Sequence, residues 1–215
     1  MFLNSKTKFH LITIVFFYFS FTSYAIKIRL EPDKQLSNWA NHFTLKDTTD
    51  HLRKAFKKGY RKDEIINIPK GARPLPANYL KWRYRHRHQR NFRRGAAFII
   101  PKYILDKYGR VSLGRQDGLF VMSKKEMDDL LQKANGRLVF IETELGIPAG
   151  LWKNHELLRV DIHRPKKFHL RIPSGNETGA NDLWIPGGKL PNGYSESVID
   201  PIPKGKYTET IIILK

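Results

Sequence analysis

Three stretches of this chain hold side chains that could do chemistry: LGRQDGLFVMS (113–123), LLRVDIH (157–163) and PSGNETGANDLWIPGGKLPNGYSESVID (173–200). The last is long, irregular and rich in Gly, Asn and Pro, a composition typical of a functional loop in a compact domain. Near its end stands Glu196, a carboxylate that could act as an acid, a base or an electrostatic stabiliser. Trp184 offers a flat apolar face for a ring. Gly187, Gly188 and Gly193 would let the backbone approach a ligand closely. Arg115 and Arg159 carry planar forks that match phosphate oxygens. Together these residues suit a dinucleotide held bent across a small sheet. No GxGxxG follows a strand, so a Rossmann-type site is not expected.

Each of these residues also has a plain structural reading. A carboxylate at a strand start is ordinarily solvated. Ser123 and Glu126 form a capping box, which accounts for the Ser123 hydroxyl without catalysis. Arg159 and Asp161 could form a cross-strand salt bridge. Trp184 could be core.

The elements that must position these groups follow from periodicity. Leu119–Val121 reads as a short strand entering a helix that starts at Ser123, buries Met127, Leu130, Leu131 and Ala134, and stops at Gly136. A second helix is expected over Leu138–Leu145, ended by Gly146 and Pro148. LLRVDIH alternates as a strand, and SESVIDPI (195–202) and KYTETIIIL (206–214) read as closing strands. YLKWRYRHRHQRNFRRG (79–95) begins with strand-like alternation, whereas AFIIPKYILDKYG (97–109) fits strand or short helix. Asp47–Asp50 could cap a helix running to about Tyr60, with Leu52, Ala55 and Phe56 on one face. IPKGARPLP (68–76) reads as a linker. Short strands with a few helices between them predict an α+β fold.

At the N-terminus, Lys6 and Lys8 precede an apolar run from Leu11 to about Phe21, then Ser23-Tyr24-Ala25. This is the pattern of a secretory signal peptide cleaved after Ala25, with a retained anchor as the alternative. The expected organisation is signal peptide (1–25), helical adaptor and linker (26–76) and catalytic domain (77–215). The chain has no cysteine, which excludes disulfides and thiolate zinc sites, and its eight histidines form no HExxH pair, so no metal is expected. The net charge of +19 calls for acidic partners: nucleic acid, anionic surfaces or phosphate-bearing small molecules.

GRQDGLFVMSKKEMDDLL, LGIPAGLW, LLRVDI, LRIPSGNETGANDLWIPGG and the trailing Glu-Ser-Val-Ile resemble toxin modules at the C-termini of bacterial polymorphic toxins of the Rhs and filamentous-haemagglutinin type. The resemblance spans about Phe98 to Tyr207. These modules are similar to the ADP-ribosyltransferase superfamily, including NAD-glycohydrolase toxins. It implies a small split antiparallel sheet that binds NAD as substrate, with cleavage of the nicotinamide–ribose bond. The ADP-ribose would pass to water or to a target protein of a host or competitor, and an immunity or accessory protein would be a partner. Carried over, Arg115 matches the phosphate-holding arginine, with Arg83 or Arg85 as alternatives. Ser123 matches the hydroxyl after the strand. Trp184 would lie beside the nicotinamide, Gly188 would contact the ligand, and Glu196 would be the catalytic carboxylate. Tyr194 stands two residues before Glu196, where arginine-directed transferases carry Glu or Gln, and the Ser-Thr-Ser block is absent.

A rival reading is a ribonuclease-type toxin. Its basis is the 79–94 segment, where Arg, His and aromatics interleave as in nucleic-acid binders, and where His86 or His88 could pair with Glu196 as acid and base. That segment could equally be a solvated strand edge or a contact to an anionic surface. A non-enzymatic adhesin or membrane-surface binder explains the charge but leaves the glycine-rich loop without a role.

Overall fold

The computed structural model describes residue 52, residues 54–109 and residues 111–215. The expected signal peptide and the Asp47–Asp50 cap lie outside the described residues. The fold is α+β. Helices are α1 (Lys62–Ile66), α2 (Pro76–Tyr79), α3 (Trp82–Arg90), α4 (Lys102–Ile104), α5 (Lys124–Ala134) and α6 (Leu138–Leu145), and strands are β1 (Ala96–Pro101), β2 (Ser112–Leu113), β3 (Leu119–Ser123), β4 (Leu157–Ile162), β5 (Glu196–Ile199), β6 (Ile202–Pro203) and β7 (Thr208–Ile211). A five-stranded sheet runs β5-β3-β1-β4-β7, and β2 pairs with β6 in a separate two-stranded ladder. All five strands pair antiparallel.

The apolar run of β1 makes it the central strand, with neighbours on both sides and cover on both faces. On one face, Ala97, Met122 and Leu157 share a core with Met127, Leu130 and Ala134 of α5. On the other, Ala96, Val121, Ile162 and Ile199 pack against Phe92 and Leu170. Side chains alternate across a strand, so register decides which residue reaches which layer. Glu196 pairs with Met122, and Ser197 with Val121, which sends Glu196 to the α5 face and Ser197 to the α3 face.

Helix α5 follows its sequence signals. Ser123 caps it, Met127, Leu130 and Ala134 are buried, and Asn135 closes it in the left-handed conformation ahead of Gly136. Helix α6 spans the expected Leu138–Leu145, with Gly146 left-handed behind it. The AFIIPKYILDKYG stretch divides at Pro101, strand before it and helical turns after it.

Two expectations fail. The segment 79–90 is mainly helical, not a strand: α2 ends at Tyr79, Leu80 and Lys81 connect, and α3 covers Trp82–Arg90. It contains no β-branched residue, and arginine is a good helix former. The apparent alternation concealed a helical stripe of Tyr84, His88 and Phe92, in which a histidine occupies a buried position. Residues 54–60 likewise form turns in place of a helix ending at Tyr60. Phe56 bridges Leu80, and Lys57 N–H donates to Tyr79 O, so the backbone is satisfied across the chain, not along it.

The stretch expected as a linker is a strap on the glycine-rich loop. Asn176 Oδ1 accepts from the N–H groups of Gly71 (2.8 Å) and Arg73 (3.2 Å). Lys70 Nζ donates to Ala180 O at 2.6 Å, and Arg73 Nη1 to Gly175 O at 2.9 Å. Leu52, Phe56 and Ile65 share a core with Tyr79, Ile172 and Trp184, so packing runs across the boundary expected at 76/77.

Candidate active site

A cavity of about 770 Å³ opens over the α5 face of the sheet. Its floor is Ala97, Ile99, Phe120 and Met122, and its walls come from Ile147, Trp152, Leu183 and Trp184. Polar side chains are few: Arg115, Asn181, Asp182 and Glu196. A largely apolar cavity with a few convergent polar groups is the usual form of a small-molecule site.

Glu196 sits at the start of β5, with its N–H donating to Gly188 O at 2.9 Å. Among the described residues, none hydrogen-bonds or ion-pairs with its carboxyl. Burial, and then the negative charge of Glu177, push its pKa up to about 8. Three other carboxylates set into this fold are satisfied. Glu126 Oε2 accepts from Ser195 N–H (2.8 Å) and from Ser123 Oγ (2.6 Å). Glu142 accepts from the N–H groups of Gly150 and Trp152 at 2.7 and 2.8 Å. Glu177 accepts from Ser174 N–H, Ser174 Oγ and Gly175 N–H. Of the two glutamates in the loop, Glu177 therefore builds it, and Glu196 is left free to act. A carboxyl held neutral at pH 7 by an apolar wall is a recurrent catalytic device.

Arg115 follows β2 and lines the same cavity, with Nε 3.6 Å from Asp117 Oδ1. Trp184 is both core and wall. It is buried, Arg73 stacks on its ring at 4.4 Å from the centroid, and it lines the cavity. Gly175 (φ +84°) is fixed by that ring, because a Cβ there would lie 2.6 Å from it.

The structure separates four expected site residues from this cavity. Arg159 does not line the cavity: it lies on β4, three strands from Glu196, bonded to Asp161 Oδ1 at 2.9 Å and to Asp128 of α5. Its salt bridge runs along the strand and up to the helix instead of across strands, and it holds the arginine away from any phosphate. Arg83 is on the exposed face of α3. Gly188 (φ +70°) faces protein, not ligand: a Cβ would sit 2.7 Å from Glu196 O and 2.8 Å from His88 Cε1. Ser123 is buried beneath the cavity as the cap of α5, its Oγ accepting from Glu126 N–H at 3.3 Å. Ser123→Ala should therefore cost about 1 kcal/mol, read as a melting temperature about 2–4 °C lower, with catalytic turnover within about twofold of the parent.

His88 and Glu196 cannot act as a pair. His88 Nε2 is 2.9 Å from Ser197 Oγ, on the opposite face of β5 from the Glu196 side chain. Burial, then the nearby Lys189 charge, lower its pKa to about 4. His86 is exposed on α3, edge-on to Trp82.

Sequence reasoning missed Phe120, Trp152 and Ile147 as lining, because apolar residues give the same signal in a core and in a cavity. Among the described residues, no group of three or more His, Asp or Glu could hold a metal ion. No protein-family model matches this chain, and no curated protein matches it.

Proposed function

We propose that this protein is a secreted toxin-like enzyme that binds NAD in the 770 Å³ cavity and cleaves the nicotinamide–ribose bond. The observation that carries the reading is the unpartnered Glu196 carboxyl in an apolar cavity that also holds Arg115 and Trp184. An ADP-ribosyltransferase-like fold accords with the small antiparallel sheet and with the toxin-module resemblance. Arg115 holds a phosphate and fixes the reacting geometry. Trp184 and the apolar floor take the rings.

The bond breaks with its electron pair going to the nicotinamide nitrogen, which neutralises the pyridinium. The ribose carbon gains oxocarbenium character, and ionised Glu196 stabilises it. Water or a protein acceptor then bonds to that carbon and gives up a proton to solvent. Below about pH 8 Glu196 is mostly neutral in the empty site, so there the anion must form on binding. The cationic nicotinamide favours that ionisation. Binding of NAD is thus coupled to release of a proton.

Arg115→Ala separates this role from that of Glu196. A phosphate clamp acts on bound substrate as well as on the transition state, so KM for NAD should rise tenfold or more, with a further fall in kcat. Steady-state kinetics of nicotinamide release checks this. An unchanged KM removes Arg115 from the site.

The ribonuclease reading has less support, since His88 lies on the opposite face of β5 from the Glu196 side chain and His86 is exposed on α3. The cationic segment on which it rested remains, on a different face of the molecule.

A further inference from the structure

Helix α3 is divided by its own register. Tyr84 and His88 face inward: Tyr84 Oη donates to Gly187 O at 2.8 Å, and His88 contacts Ser197. Trp82, Arg83, His86, Arg87 and Arg90 face outward and are exposed. At about 100° per residue these five share an arc of about 140°. Arg93 and Arg94, also exposed, continue the surface past the helix end. No described carboxylate pairs with Arg83, Arg87 or Arg90. Trp82 is 64% exposed, with the Arg83 guanidinium 5.9 Å from its ring centroid. Cations that are merely solvated do not need an indole set out in water among them.

We propose that this face of α3 binds single-stranded nucleic acid, the arginines taking backbone phosphates and Trp82 stacking on a base. The cation set is arginine-dominated, which suits bidentate phosphate contacts. An exposed aromatic within a cationic track is the arrangement that grips unpaired bases without reading sequence. A membrane is the weaker fit. An interfacial helix must bury an apolar face in lipid, and the inward face of α3 is already occupied by the protein. The proposal is independent of NAD cleavage, because none of these residues lines the cavity.

The test is fluorescence anisotropy of a labelled 20-nucleotide single-stranded RNA with the full-length protein. Binding should weaken about 50-fold between 50 and 200 mM salt, as expected for about four neutralised phosphates on a single strand. The double variant R83E/R87E should lose tenfold or more in affinity. K166E/K167E makes the same charge change at exposed residues elsewhere and should lose under threefold. Trp82→Ala should weaken binding fivefold or more with the salt slope unchanged. Melting curves confirm that each variant is folded. Equal losses for the two charge variants would mean general attraction to a basic protein and would overturn the site. So would binding to vesicles of anionic phospholipid without binding to the RNA.

Discussion

Glu196→Gln should leave a folded protein that is more stable than its parent in alkaline solution. The parent carboxyl has its folded-state pKa raised from the ordinary 4.5 to about 8. Below about pH 4.5 it is protonated whether the chain is folded or not, and the folded state suffers no penalty. As pH rises towards 8, ionisation favours the unfolded chain, and stability falls by at most about 1.4 kcal/mol per pH unit. Above 8 the penalty is constant. Glutamine is isosteric and never ionises, so it escapes this loss. The two proteins should melt within about 1 °C of each other at pH 4.5, and the Gln variant about 5 °C or more higher at pH 8.5. The same change should cut turnover about 100-fold or more, the scale of one electrostatic contact in a transition state. Differential scanning calorimetry across this pH range checks the first effect. Parallel curves for the two proteins would mean that Glu196 is an ordinary solvated carboxylate.

Glu177→Gln should act through the loop. Glu177 is buried, and its two oxygens accept from Ser174 N–H at 2.9 Å, Ser174 Oγ at 3.0 Å and Gly175 N–H at 2.8 Å. A glutamine must turn an NH2 group towards at least one of these donors. Leaving buried donors unpaired costs about 2–3 kcal/mol in all, which lowers the melting temperature by roughly 5–10 °C in a protein of this size. The strap at residues 70–73 is bonded to the same turn through Asn176, so its anchorage weakens too. Removing the Glu177 charge also removes one cause of the raised Glu196 pKa. The pH at which kcat/KM reaches half its plateau should therefore fall, even though the loop is less stable. A Glu177→Gln protein with the parent's melting temperature and pH midpoint would show that the loop does not depend on this carboxylate.

These two glutamates also mark how far the sequence alone could be read. Glu196 stood out because it follows a long glycine-rich loop and begins an apolar strand. Which glutamate was chemically free could not be seen, because two of the three donors to Glu177 are backbone N–H groups brought to it by the turn itself. Helix α5 and strand β4 were legible from capping and alternation. Helix α3 was not, since its buried stripe includes His88, which polarity assigns to the surface. The strap was not legible for a third reason. Lys70 and Arg73 are held by carbonyls about 100 residues downstream, and no local pattern encodes that. Arg159 shows the reverse case. A bland salt bridge was visible as an alternative, and an ion pair with Asp161 and Asp128 is what forms.

Cleavage of NAD in the cavity is proposed to depend on ionised Glu196. Its most direct measurement is nicotinamide release from NAD by the parent and by Glu196→Gln between pH 6 and pH 10. For the parent, kcat/KM should rise about tenfold per pH unit to a plateau above about 8. The kcat profile should lie at lower pH, because the bound cationic ring favours the carboxylate. Glu196→Gln should be flat with pH and about 100-fold or more below the parent's plateau. No nicotinamide release by the parent at any pH, or equal release by the two proteins, would contradict the account.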